Sequence, residues 1–213
     1  MSGEKIFVEV LRVFLHIGFH SFRRVRIYNR KAVPKDGALL VLPNHQGMVD
    51  MFLVGYGIPN VVHWMAKKEL FNNKLFAAII KGLGAYPVNR GATDTSAAKH
   101  TFQLLKDEKT VGIFPQGTRA REGKPIPKAH SGAIKYAVET DTTVVPVAIW
   151  GKNRIFGKMH VRYGDPFKFP QPSQGEKYTN EEYNAMAAKL MDDIYAMRYT
   201  DKEKKLLDGD TKS

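Results

Sequence analysis

Residues 38–50 read Ala-Leu-Leu-Val-Leu-Pro-Asn-His-Gln-Gly-Met-Val-Asp, an apolar run that stops at Pro43 and Asn44 and then delivers a histidine and an aspartate. From Ala38 to Leu42 the run has no polar alternation. A strand that is apolar on both faces is one buried on both faces, as in the interior of a parallel sheet. A helix is expected from about Val49, so the local pattern is strand, loop, helix.

The pattern repeats along the chain. Val61 to Met65 reads as a second strand and Lys74 to Leu83 as a helix closed by Gly82 or Gly84. Tyr86 to Val88 is a brief extended piece, and Thr93 to Leu105 has helical periodicity with Thr93 or Asp94 as its cap. Val111 to Phe114 is another buried strand, followed by a helix at His130 to Glu139 and a strand at Thr143 to Trp150. Met159 to Tyr163 alternates as a strand before Asp165-Pro166, and an amphipathic helix runs from about Asn180 to Met197. Strands alternating with helices predict an α/β fold, a single domain with a largely parallel central sheet flanked by helices. The 213 residues, 43% apolar, suffice for one core. Residues 32–200 are expected to form it, and residues 201–213 to be a polar tail without structure.

The N-terminus has a different character. Lys5, Glu9, Arg12, His16, His20 and Arg23 recur at steps of three and four, one narrow polar stripe on a helix whose remaining face is broad and apolar. Those charges disqualify Ile6 to Phe22 as a spanning helix, which needs about 20 mostly apolar residues. A basic segment follows at Arg23, Arg24, Arg26, Arg30 and Lys31. An apolar face beside a cationic cluster suits an interfacial helix on anionic lipid, so residues 1–31 read as a membrane-associating segment. A helix packed on its own domain is the alternative.

The chain has no cysteine, which removes disulfides and thiolate chemistry. Its 33 Lys and Arg against 21 Asp and Glu give a net charge of +12, which favours polyanionic partners without choosing among them. His45 and Asp50 are separated by four residues. On one continuous helix they would point ~140° apart, so they meet only if His45 precedes the helix and Asp50 opens it. In such a pair the carboxylate holds the imidazole while the other ring nitrogen removes a proton from a hydroxyl. His160 and Asp165 repeat the spacing, but on an alternating strand leading to a turn, where a capping or surface role is expected. Ile113 to Arg121 runs from a strand into a basic loop containing Gly117, suited to a phosphate because glycine permits close approach and arginine forks its oxygens. Gly84 to Arg90 delivers a second arginine to a loop, and Val144 to Ile149 reads as core, with Pro146 limiting strand pairing.

In this order the four segments resemble the lysophosphatidic acid acyltransferase family of glycerolipid acyltransferases, over roughly residues 37–166. Asn44-His45 to Asp50 matches the family's His-four residues-Asp motif, Gly84 to Arg90 its Gly-to-Arg motif, Phe114 to Arg119 its Phe-Pro-Glu-Gly-Thr-Arg motif, and Val145 to Val147 its Val-Pro-Val motif. The resemblance implies His45 as general base, Asp50 as its orienter, and Arg90 and Arg119 as ligands of the acceptor phosphate. Gly117 and Thr118 would shape the phosphate loop, Lys67 looks like the family's basic position after the second strand, and Gln116 falls in the same substrate-binding group. Gln116 stands where the family has Glu, Ala120 where Ser is frequent and Asn89 where an acidic residue is common. Any role that needs a carboxylate at position 116 is thereby in question.

The implied reaction is direct acyl transfer from an acyl carrier protein or coenzyme A thioester to a lysophospholipid hydroxyl, making phosphatidic acid at the cytoplasmic face of the cell membrane by a peripheral or monotopic enzyme. Neither cofactor nor metal is implied, and the scattered histidines show no zinc-binding cluster. Nucleic acid is not an expected partner, since no aromatic-plus-basic recognition motif accompanies the charge. Glycerol 3-phosphate or another lysolipid as acceptor stays open, as does a non-catalytic basic membrane-binding protein.

Overall fold

The computed structural model describes residue 10 and residues 24–89, 94–120, 123–151 and 157–198. Among them seven strands make one sheet: β1 (Arg24–Tyr28), β2 (Leu39–Pro43), β3 (Val62–Lys67), β4 (Tyr86–Val88), β5 (Thr110–Gly112), β6 (Thr143–Gly151) and β7 (Lys158–Tyr163). The helices are α1 (Asp50–Gly57), α2 (Lys74–Gly82), α3 (Thr95–Lys106), α4 (Gly132–Glu139) and α5 (Asn180–Ala196). Strand order is β1-β7-β6-β2-β5-β3-β4. Five neighbouring pairs are parallel and β6–β7 is antiparallel. The stretch between Gly151 and Lys158 is too short for a crossover helix, so that pair has to be antiparallel.

β2 lies near the middle of the sheet and is buried along its whole length. Its residues divide between two cores. Leu39 and Val41 join Leu53 and Val54 of α1 on one face, while Leu40 and Leu42 join Ile134 of α4 and Leu190 of α5 on the other. Successive side chains of a strand point to opposite faces, so an unbroken apolar run is what a sheet covered on both sides demands. The α/β fold with a largely parallel sheet is borne out. Pro146 is paired with Leu42 of β2, and the β7 ladder begins one residue later at Val147.

One element differs from expectation. Arg24–Tyr28, read as part of the basic segment, is an edge strand paired in parallel with β7. The boundary expected after residue 31 therefore falls inside the sheet unit. Its alternation is visible in retrospect: Val25 and Ile27 pack against the core while Arg26 is exposed. The expected N-terminal helix and the tail from residue 201 lie outside the described residues.

The helix ends carry local signals. Thr179 and Glu182 form a reciprocal capping box at the start of α5, and Asn73 and Asp94 cap α2 and α3 by accepting from Phe76 and Ala97 N–H. These fix where the helices begin, and hence which loops remain at the carboxyl ends of the strands.

Candidate active site

The carboxyl end of β2 passes into Asn44, whose fully buried side chain clamps the main chain of β6 by donating to Ile149 O (2.9 Å) and accepting from Ile149 N (2.6 Å). His45 follows at once. Its N–H donates to Gln116 Oε1 (3.0 Å) and its carbonyl accepts from Ala120 N (2.8 Å), so the loop after β5 grips both main-chain polar groups of one residue. The imidazole lies on Phe114, with ring centroids 4.1 Å apart, and Phe114 lies on Trp64, 5.1 Å away. This column has a glycine at its back. Gly112 pairs with Trp64 across β5 and β3, where a Cβ would come within 2.5 Å of the indole.

Asp50 is the first residue of α1, so His45 lies outside the helix and the spacing that would separate the pair on a continuous helix brings it together. Asp50 Oδ2 accepts from His45 Nδ1 at 2.9 Å and from the main-chain N–H groups of Gln46 and Gly47. Its side chain is fully buried, whereas His45 keeps 13% of its side chain exposed. A buried carboxylate that only accepts places the ring proton on Nδ1 and leaves Nε2 as an acceptor. The helix N-terminus adds partial positive charge beside the carboxylate.

His45 opens into a cavity of about 130 Å³ that also contains Arg119 and Lys67. Met48, Met51, Leu70 and Phe76 give it an apolar wall. Lys67 Nζ is paired with Glu69 at 3.0 Å on the surface. Phe114 and Met65 separate this cavity from a second one of about 450 Å³, lined among others by Gln116, Gly117, Thr118 and His130. The predicted residues thus fall into two groups: His45, Lys67 and Arg119 share the first cavity, and Gln116, Gly117 and Thr118 border the second. Gly117 has φ 62°, a left-handed conformation that suits glycine. Arg90 lies outside the described residues.

Gln116, grouped above with substrate ligands, is 1% exposed and its side chain engages protein partners: His45 N–H, Pro127 O and Tyr195 Oη. Asn44, Phe114 and Trp64 were not anticipated as parts of the site, although the first two adjoin or belong to its motifs. Nothing local marks Trp64, because its role depends on a ring delivered from β5.

The second spacing match takes other partners, as its strand setting suggested. His160 Nδ1 is hydrogen-bonded to Tyr28 Oη (3.0 Å) and its ring stacks on Trp150, while Asp165 accepts from Asn29. Burial pushes up the hydroxyl of Tyr136, which lines the second cavity, and pushes that of Tyr86 further, keeping both neutral. Asp94 is held below the usual carboxylate range by the N–H groups of Ala97 and then Asn89. Among the described residues no group of three or more His, Asp or Glu is placed to hold a metal ion.

With this geometry in view, comparison with known proteins is decisive at the level of family: the profile described as Acyltransferase matches residues 24–150, beginning at the first residue of β1. The chain belongs to the acyltransferase family. The resemblance read from the four motifs is borne out. This acyltransferase is 38% identical over 148 residues, 67% of its own length and 73% of the relative's, to the 1-acyl-sn-glycerol-3-phosphate acyltransferase of Bacillus subtilis. The protein of the same description from Streptococcus pneumoniae is 24% identical over 221 aligned positions, covering 100% of this chain and 80% of that one. The crystal structure of the 1-acyl-sn-glycerophosphate acyltransferase of Thermotoga maritima superposes with a TM-score of 0.69, at 22% identity, over 92% of this chain and 82% of that one. The acyltransferase therefore shares that fold.

Proposed function

We propose that this acyltransferase moves a fatty acyl group from an acyl carrier protein or coenzyme A thioester to the free hydroxyl of 1-acylglycerol 3-phosphate, producing phosphatidic acid. The observation that carries the reading is the 2.9 Å contact of His45 Nδ1 with a fully buried Asp50 carboxylate, beside a cavity that also contains Arg119 and Lys67.

The chemistry follows from that pair. Asp50 keeps the proton on Nδ1, so Nε2 takes the proton of the acceptor hydroxyl as its oxygen attacks the thioester carbonyl carbon. The carbonyl π electrons move to oxygen, the tetrahedral intermediate collapses, and the C–S bond breaks. The departing thiolate takes the proton from Nε2, which returns the imidazole to its starting state. The imidazolium exists only between the two proton transfers, and the Asp50 charge stabilises it there. Arg119 and Lys67 provide the positive charge that a phosphate needs, with Arg90 as a third candidate. The methionine-rich wall suits flexible acyl chains, since unbranched thioether side chains adapt their shape.

The second part of the reading concerns the membrane. No described helix is long and apolar enough to cross one, which fits peripheral attachment. Helix α2 turns Leu75, Ala78 and Ile79 outward, three residues of one helical face, between exposed Lys74 and Lys81. Met48, a cavity residue, is 56% exposed. Exposed apolar side chains flanked by lysines, on a helix whose Phe76 lines the His45 cavity, suit an anionic bilayer surface on the cytoplasmic side. The amphipathic N-terminal segment read from the sequence would add to the same contact.

The test is transfer of a radiolabelled acyl group from both thioester donors to a panel of 1-acylglycerol 3-phosphate, glycerol 3-phosphate and other lysolipids. Product should form fastest on 1-acylglycerol 3-phosphate, and His45→Ala should lower turnover about 10²- to 10⁴-fold while the protein stays folded. Preference for another acceptor would reassign the substrate. Undiminished turnover by His45→Ala would remove the general base.

A further inference from the structure

We infer that Gln116 is a positioning residue that aims the His45 imidazole through its main chain, and that its surroundings require an amide where the family carries a carboxylate. This rests on His45 being the base. Three hydrogen bonds converge on the side chain: Oε1 accepts from His45 N–H at 3.0 Å, and Nε2 donates to Pro127 O at 3.2 Å and Tyr195 Oη at 3.0 Å. At 1% exposure no solvent is at hand to replace a missing partner.

The chemistry of the three partners separates amide from acid. The main-chain N–H of His45 needs an acceptor, which either group supplies. The Pro127 carbonyl has no proton and needs a donor, which an ionised carboxylate lacks. Tyr195 could rotate its hydroxyl to donate, but Pro127 O cannot change its role. A glutamate ionised at neutral pH would therefore push the Pro127 segment away. That segment is tied to the same loop, because His130 N–H donates to Pro115 O at 2.8 Å.

The consequence reaches His45 because one loop controls three sides of it. Phe114 lies against the ring, Gln116 holds the N–H, and Ala120 N–H holds the carbonyl. Tyr195, in the last turn of α5, anchors the amide from behind and carries the Arg198 guanidinium over its ring at 4.3 Å. Helix α5 is thereby linked to the base through two hydrogen bonds. Misplacing a reacting group by about 1 Å costs on the order of 10²-fold in rate, so losing this link should show in turnover.

The experiment compares Gln116→Leu, Gln116→Glu and Tyr195→Phe in the full chain, following acyl transfer and the low-field proton resonance of His45 Nδ1–H, assigned by its loss in His45→Ala. Gln116→Leu and Gln116→Glu at neutral pH should lower kcat about 10- to 100-fold with acceptor KM within about twofold, and shift or broaden the Nδ1–H signal. Tyr195→Phe leaves the Pro127 bond in place and should lose only about two- to threefold. Should Gln116→Leu fail to fold, the glutamate and phenylalanine variants carry the test. A raised acceptor KM with kcat preserved would make Gln116 a substrate contact and overturn the proposal, and so would a glutamate variant equal to the wild type. If wild-type protein turns over none of the acceptors, the functional reading fails by itself, and an unchanged Nδ1–H signal in Gln116→Glu would separately refute the positioning role.

Discussion

Replacing Asp50 by asparagine changes one atom and one charge at the centre of the site, and the geometry determines how the amide must sit. Oδ2 receives three donors, from His45 Nδ1, Gln46 N and Gly47 N, so an amide nitrogen placed there would face three N–H groups. The carbonyl oxygen must take that position, and the NH₂ takes that of Oδ1, which is buried without a hydrogen-bond partner among the described residues. The imidazole then keeps its tautomer and loses only the charge. While the ring is neutral, little changes: a charge-assisted hydrogen bond of about 1.5–3 kcal/mol becomes a neutral one of about 0.5–1.5 kcal/mol. Once the ring carries the substrate's proton, it also loses a contact attraction of about 4 kcal/mol at an effective dielectric near 20. That difference falls on the transition state, so kcat should drop about 10²- to 10³-fold with acceptor KM nearly unchanged. Stability should move far less, because the neutral amide relieves the burial of a charge while weakening its three hydrogen bonds. Acyl-transfer kinetics on purified protein, with thermal unfolding alongside, make the measurement. Turnover within about threefold of wild type in a folded Asp50→Asn protein would refute the reasoning.

Gly112→Ala should destabilise the protein by about 1–3 kcal/mol, because the new Cβ needs Trp64 to move and Trp64 backs the Phe114–His45 column. A thermal midpoint and kcat both equal to wild type would show the column to be slack. The Asp94 carboxyl has its folded-state pKa lowered, so its stabilising effect is present at neutral pH and is lost as pH falls through that lowered value. Thermal unfolding should therefore show wild type above Asp94→Ala near neutrality and the gap closing in acid, whereas a gap independent of pH would contradict it. Leu75→Ser combined with Ile79→Ser should weaken sedimentation with anionic phospholipid vesicles while leaving turnover on a short-chain, monomeric acceptor intact. Equal vesicle binding would move the membrane contact off α2.

Periodicity and local capping made much of the fold legible. Five consecutive buried residues in β2, the Thr179–Glu182 capping box and the punctuation by Gly82 and Gly84 act over a few residues, and such signals survive in any sequence that must bury a face. β1 was hidden because the run of arginines around it looks like a cationic surface, although Val25 and Ile27 flank the exposed Arg26 in strand alternation. At the site, the motif order named His45 and Asp50, and their proximity followed once the helix began at Asp50.

What the sequence alone determined is the chemistry available: an imidazole and a carboxylate at a spacing that a strand-to-helix turn can close, with arginines on neighbouring loops. Only the tertiary structure decided that Gln116 faces inward to His45 and Tyr195, residues 71 and 79 positions away, and that Phe114 and Trp64 support the ring. The physical reason is that dihedral preference and hydrophobic period are written in adjacent residues. The partner of a buried polar or aromatic side chain depends instead on which distant segments the sheet order brings together.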